Sequence, residues 1–300
     1  MIMEKKYLAI DVGGSSIKYA LLNQDAKIIE KSSVKTPTIC LDDFVETIGR
    51  IYDLYMEDIE GIAMSMPGII DPARGFCYTG GALQYIHNLD MVEILQQRCS
   101  CKITIGNDAK CAANAEVGFG ALKDVEDAIC VILGTGVGGC LIKDRQVHIG
   151  KHFSAGEFSF IQTHIENGFD PRYVWANISG ITGLLNCVKK HYPVHQKLTG
   201  IDIFEMANNG NESVLKGIDE FSRNIAIELY NLHMIFDSQK IAIGGGISNQ
   251  PLLIDLINKN FQMIFDSIPF DVPRTEIVAC QYHNDSNLIG ALYQFLVSKK

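Results

Sequence analysis

A glycine turn between two apolar strands occurs twice in this chain, and that repetition constrains its fold more than any other feature. Residues 9–22, AIDVGGSSIKYALL, read as an apolar strand, a tight turn at Gly13-Gly14-Ser15 and a second apolar strand. Residues 130–142, CVILGTGVGGCLI, repeat the pattern around Gly134-Thr135-Gly136. Each copy runs on into a polar reverse turn, Asn23-Gln24-Asp25 in one and Lys143-Asp144-Arg145 in the other. Glycine reaches positive φ and lets a ligand approach the backbone closely. Turns that point successive N–H groups inward bind anions, phosphates above all. Two of them predict a duplicated fold with a polyphosphate held between its halves.

The remaining pattern agrees with two α/β halves. Two or three antiparallel strands are predicted over 5–29, a helix over 42–55, a buried strand over 61–66 and a helix over 89–98 with Asp90 as its cap. A short strand at 103–105 runs into Gly106-Asn107-Asp108, ahead of an Ala-rich helix over 109–119. After the second turn come helices over 202–208 and 212–236, a strand at 240–243, a helix over 250–264, a strand at 276–280 and a closing helix over 287–297. Alternating strands and helices define the α/β class. At 300 residues and 47% hydrophobic content the chain can bury two cores. The boundary is placed at Gly118-Phe119-Gly120. This gives a small domain over 1–118, onto which the segment 286–300 packs back, and a large domain over 119–285.

Composition excludes several classes. A net charge of -9 argues against nucleic acid, whose backbone attracts basic surfaces. The nine cysteines are odd in number and scattered through apolar runs, unlike a secreted disulfide framework, and imply reduced thiols in a cytoplasmic protein. Cys99-Ser100-Cys101 is the only tight pair, and no second pair stands at metal-ligand spacing. No apolar run is long enough to span a bilayer, and the N-terminus has no signal core. The first strand starts within a few residues of Met1, which leaves no room for an N-terminal DNA-binding module.

Four places carry candidate chemistry. Asp11 ends a buried strand just before the first turn, as a turn-former or as a group beside Mg²⁺ or a terminal phosphate. Magnesium prefers few carboxylates together with water and substrate phosphates, so one Asp suffices. Gly244-Gly245-Gly246 is a third glycine cluster after a buried strand, either a flexible loop or a place where a nucleotide base approaches the backbone. Asn107-Asp108 reads either as an N-cap for the helix that follows or as placing a general base, Asp108, within reach of a hydroxyl. Gly134-Thr135-Gly136 is either a plain β-hairpin turn or the second of two paired phosphate turns.

The order of these motifs resembles the ROK family of sugar kinases and repressors, within the actin-like ATPase superfamily. The matching segments are Asp11-Val12-Gly13-Gly14-Ser15-Ser16-Ile17-Lys18, Met66-Pro67-Gly68, Asn107-Asp108-Ala109, Gly134-Thr135-Gly136-Val137-Gly138-Gly139, Gly156-Glu157 and Gly244-Gly245-Gly246-Ile247. The resemblance implies a two-domain actin-like (ribonuclease H-like) ATPase fold, with a duplicated sheet and helix core around a central cleft. It implies transfer of the ATP γ-phosphoryl group to a sugar hydroxyl, with Mg²⁺, in a homodimer. Asp108 is then the catalytic base. Asn107, Glu157, Gly68, Gly81 and Asn88 bind sugar. Asp11, Gly13, Gly14, Ser15, Lys18, Gly134, Thr135, Gly136, Gly244, Gly245 and Gly246 bind nucleotide, Asp11 reaching the metal through water.

Departures from the family pattern narrow the reading. Most members carry a cysteine-rich zinc loop after the Gly-Glu motif, whereas no cysteine lies between Cys140 and Cys187 here, so no structural zinc is expected. The family's zinc- and sugar-binding histidine falls at Phe160, and a second sugar-binding glutamate falls near Trp175. Trp175 is then either core or an aromatic platform for a second sugar or aglycone. Gly80-Gly81-Ala82, Gly156-Glu157-Phe158, Tyr230-Asn231-Leu232 and Phe236-Asp237 look like the zinc-less β-glucoside kinases, which phosphorylate O6 of a non-reducing glucose. The rival readings are a kinase for glucose or N-acetylmannosamine, a sugar-responsive regulator and an ATPase scaffold without a sugar substrate.

Overall fold

The structure is a computed structural model that describes residues 4–164, 168–193 and 198–298. It divides into two compact units. The described residues up to Lys123, with Ile149–Ser154 and the chain from Asn284, form one; Asp124–His148 and Ala155–His283 form the other.

The first unit opens with an antiparallel meander, β1 (Lys6–Val12), β2 (Ser16–Asn23) and β3 (Ile28–Lys35). Helix α1 (Leu41–Asp53) buries Phe44, Ile48 and Ile51 along one stripe. Strand β4 (Ile59–Met66) pairs parallel with β1. A small antiparallel sheet of β5 (Ile70–Asp71), β6 (Phe76–Thr79) and β7 (His87–Asp90) follows, then α2 (Met91–Gln96). The predicted helix over 89–98 thus begins two residues late, because Leu89 and Asp90 pair with Cys77 and Phe76. Asp90 does cap α2, accepting the Glu93 N–H at 3.3 Å. Strand β8 (Lys102–Asn107) pairs parallel with β4 and feeds α3 (Asp108–Gly118), so the main sheet runs β3-β2-β1-β4-β8.

The second unit repeats this plan. Strands β9 (Ala128–Leu133), β10 (Val137–Lys143) and β11 (Gln146–His148) form the meander. Helices α4 (Trp175–Ile178), α5 (Gly180–His191), α6 (Gly200–Asn208) and α7 (Glu212–Phe236) precede β12 (Lys240–Gly244), which pairs parallel with β9. Helix α8 (Pro251–Asp266) and β13 (Glu276–Ala279) close a sheet of order β11-β10-β9-β12-β13, matching the first strand for strand and sense for sense. The duplication expected from the two glycine turns is therefore present in the topology. The sequence reading assigns no helix to 180–191, although Ile181, Leu184, Leu185 and Val188 keep helical spacing. Gly180 and Gly183 weaken that signal, because glycine is a poor helix former. The backbone requires Gly183, where a Cβ would overlap the Ile178 carbonyl.

Helix α9 (Ser286–Val297) returns to the first unit and packs on α3, β4 and β1. Lys299 and Lys300, at the end of the expected closing segment, lie outside the described residues. Every cysteine is a free thiol. Burial pushes the Cys99 and Cys101 thiols up to about 11, so this pair behaves as packing and not as a nucleophile.

The α3–α9 contact rests on Gly290, where a Cβ would penetrate the Cys111 carbonyl and come within 2.9 Å of the Ala115 nitrogen. Backbone atoms cannot swing aside as a side chain can. Gly290→Ala is therefore expected to cost about 1–3 kcal/mol or more, read as a lowered melting temperature; an unchanged transition would show that α9 can lift off α3 freely.

Candidate functional site

Parallel pairing brings the carboxyl ends of β1, β4 and β8 to one edge of the first sheet. Asp11 stands beside Ser65, Ser65 beside Gly106, and Met66 beside Asn107. Ligands of open α/β sheets bind at such edges. Asp11 is buried. Its Oδ1 accepts hydrogen bonds from Ser65 Oγ at 3.1 Å and Asn287 Nδ2 at 2.9 Å, and Lys18 Nζ lies 3.9 Å from Oδ2. Asp11 is thus held in place by three side chains. One such carboxylate beside a glycine turn fits the donor set of Mg²⁺, which takes most of its ligands from water and phosphate.

The Gly13-Gly14-Ser15 turn follows at once, closed by Gly13 N–H donating to Ser16 O at 3.0 Å, with Gly14 and Ser15 exposed. An added Cβ on Gly14 would stand 3.5 Å from Ala82 Cβ, which places the turn beside the Gly80-Gly81-Ala82 strip. Gly81 (φ +59°) and Gly68 (φ +107°) pack together, the Cβ position of Gly68 lying 3.0 Å from Gly81 N. Asn107 joins them by donating from Nδ2 to Gly68 O at 2.9 Å. The expected residues Gly14, Gly68, Gly81 and Asn107 thus form one connected group. Asn88 makes no hydrogen bond with that group among the described residues; it is exposed, with φ 52°, and its amide meets His87 Nε2 at 3.0 Å.

The cap is supplied by Asn107. Asn107 Oδ1 accepts the Lys110 N–H at 3.2 Å, so Asn107 caps α3. Asp108 occupies the first helical turn, half-buried, with Oδ1 taking the Ala109 N–H at 2.8 Å.

In the second unit the same edge carries Gly134-Thr135-Gly136 and Gly244-Gly245-Gly246. Gly245 (φ +94°) sits directly on the Leu133 carbonyl at the end of β9, which holds the two clusters together. Gly134 and Gly246 have open space where a Cβ would be. Gly244 differs, since its Cβ would meet Ile132 Cδ1 at 2.8 Å and Cys280 Sγ at 3.0 Å, so it serves packing under the loop. Glu157 is held outward by its neighbours. Gly156 (φ +78°) packs on β10, its Cβ position 2.9 Å from Cys140 Cα, and Phe158 is buried against Gly139. Glu157 and Phe160 end the same 3₁₀ turn, Phe160 N–H donating to Glu157 O at 3.3 Å, and both are exposed.

Of the two readings of Trp175, the structure favours core. Trp175 is completely buried, 5.9 Å from the Phe158 ring centroid and within the hydrophobic core of the second unit, so it is no sugar platform. Phe160, the other aromatic replacement, is 74% exposed. Ser65 and Asn287 are functional-edge residues that the sequence reading missed. Ser65 had a signal as the one polar side chain in the buried run 61–66, whereas Asn287 had none, lying 276 residues from Asp11.

A profile of the ROK family matches residues 7–298. A β-glucoside kinase of Listeria monocytogenes is 29% identical over 297 residues, 97% of each chain. A ROK family protein from Streptococcus pneumoniae, solved in complex with sucrose, superposes with a TM-score of 0.87 at 31% identity, covering 98% of this chain and 99% of that one. A ROK family glucokinase from Streptomyces griseus, in complex with glucose and AMPPNP, superposes with a TM-score of 0.79 at 24% identity over 96% and 98% of the two chains. That last likeness bears on the fold.

Burial of Trp175 yields a direct expectation. Trp175→Phe leaves a small cavity and should cost roughly 1–3 kcal/mol of stability while leaving the ranking of sugar substrates unchanged. A changed ranking, measured as kcat/KM ratios, would return Trp175 to the binding surface.

Proposed function

The chain belongs to the ROK family and is an ATP-dependent carbohydrate kinase; we propose that it phosphorylates the 6-hydroxyl of the non-reducing glucose of a β-glucoside such as cellobiose. The observation that supports the chemistry is the placement of Asp108 in the first turn of α3, at the edge where β1, β4 and β8 end, beside Asn107, which caps the helix. Asp108 takes the proton of the sugar hydroxyl as that oxygen attacks the γ-phosphorus. The bond from phosphorus to the β,γ-bridging oxygen breaks, and ADP leaves with that electron pair. Phosphoryl transfer runs through a loose transition state, so positioning and electrostatics supply most of the rate.

The remaining roles follow the connected groups. Asn107, Gly68 and Gly81, with Asn88, form the sugar-facing strip of the first unit. Glu157 accepts sugar hydroxyl hydrogen bonds, which are stronger to a carboxylate than to a neutral acceptor. The turns at Gly13-Gly14-Ser15 and Gly134-Thr135-Gly136 offer backbone N–H groups to phosphates, Lys18 adds charge, and Gly246 leaves room for the nucleoside, with Gly245 closing on the Leu133 carbonyl and Gly244 packing beneath. Asp11 would hold Mg²⁺ through water, and the ion supplies neutralisation of phosphate charge. No structural zinc is assigned, since no cysteine lies between Cys140 and Cys187. A cytoplasmic location, which the free thiols support, and a homodimer complete the reading.

Substrate choice rests on Phe160. An exposed phenyl one 3₁₀ turn from Glu157 stands where the family pattern has a polar ligand, and a 3₁₀ helix eclipses residues three apart. A site without that polar ligand loses its demand for a free anomeric hydroxyl, a demand worth about 10⁴-fold where it exists. The similarity to a β-glucoside kinase supports the same reading.

Two outcomes are expected. Asp108→Asn should lower kcat by about 10²–10⁴-fold with the fold and ADP binding intact; retention of more than about a tenth of the parent rate would remove Asp108 from the reaction. In ATP-consumption assays kcat/KM for cellobiose should exceed that for glucose, and Phe160→Ala should narrow the gap. Glucose or N-acetylmannosamine ahead by tenfold would establish a monosaccharide kinase instead.

A further inference from the structure

Each glycine turn is seated on a residue outside it, and the two seats differ. In the first unit the seat is Thr36, just past β3 and only 2% exposed. Its Oγ1 donates to Gly13 O at 2.6 Å, and its N–H donates to Ser15 O at 3.2 Å. In the second unit the seat is the start of α5. Ile181 N–H donates to Gly134 O at 2.9 Å. A Cβ on Gly180 would lie 2.7 Å from Gly134 O, 2.7 Å from Gly136 O and 2.9 Å from Thr135 O, so three successive carbonyls converge on this residue. Gly180 has φ +65°, where L side chains are strained in any case.

A trans peptide carries its C=O and the following N–H on opposite edges. Carbonyls turned onto a seat therefore turn the next N–H groups away from it. In the first turn these belong to Gly14 and Ser16; in the second, to Thr135, Gly136 and Val137. The same seating draws carbonyl oxygens, which would repel a phosphate, away from the ligand side. We infer that Thr36 and Gly180 are positioning residues for the phosphoryl transfer: each fixes the peptide orientation of one phosphate turn and touches no substrate itself. The inference rests on reading the two turns as phosphate sites and adds what makes them so.

Thr36→Val keeps the shape of the side chain and removes one of the two bonds. The ATP KM is expected to rise roughly three- to tenfold, as for one lost hydrogen bond, with the sugar KM within twofold of the parent. Thr36→Ser, which restores the hydroxyl, should return the ATP KM to the parent value. Gly180→Ala should raise the ATP KM in the same selective way, and titration calorimetry with ADP and Mg²⁺ should show both losses without turnover.

An ATP KM within twofold of the parent in folded Thr36→Val, an equal rise in both KM values, or no recovery in Thr36→Ser would each overturn the inference. If Thr36→Val does not fold, Gly180→Ala is judged by the first two criteria. Gly14→Asp separates the underlying reading from the inference, because a carboxylate on the exposed turn repels phosphate. An unchanged ATP KM in Gly14→Asp would remove the turn from the nucleotide site; a raised one with Thr36→Val silent would overturn the seating alone.

Discussion

Parallel pairing of β1 with β4 and of β4 with β8 is the constraint on which the first unit's chemistry depends. Parallel strands end at the same edge, so three loops far apart in sequence leave the sheet together. That edge gathers Asp11, the Met66-Pro67-Gly68 corner and Asn107-Asp108, and α9 adds Asn287 to it through one hydrogen bond. A carboxylate as buried as Asp11 would ordinarily carry a large desolvation cost. Ser65 and Asn287 offset it with neutral donors while Lys18 supplies charge at longer range. The carboxylate is consequently held in one orientation.

The same pairing rule operates in the second unit with a different load. There β9 and β12 end beside each other, and Gly245 closes directly over the last carbonyl of β9. No carboxylate follows either strand; glycine takes both places. Backbone N–H groups and open space stand there in place of charge. Two sheets of one topology have thus diverged into an edge rich in side-chain chemistry and an edge built mainly of backbone.

What was legible in the sequence was whatever depends on local pattern. The alternating apolar runs on either side of each glycine turn gave both meanders, and the Ala-rich stretch after Asn107-Asp108 gave α3. Residues whose role depends on tertiary contact were hidden. Trp175 opens a four-residue helix, too short for any periodic signal, and only the packing against Phe158 reveals it as core. Gly183 reads as a helix breaker although a neighbouring carbonyl demands it. Asn287 looks like an ordinary first-turn residue until its partner across the fold is known. The small β5-β6-β7 sheet was missed because strands of two to four residues are shorter than the window in which alternation can be recognised.

The two seats explain why comparison of the halves finds the turns and not their supports. A turn must be glycine-rich wherever a ligand approaches the backbone, so that part of the duplication persists as sequence. A seat has only to receive carbonyls, and chemically different groups can do so. Thr36 receives them with a hydroxyl and an amide, from a residue that follows the third strand of the meander. Gly180 receives them by absence of a side chain, at the head of a helix with no counterpart at that position in the first unit. The first arrangement leaves a side chain that substitution can tune; the second leaves a position that only glycine fills.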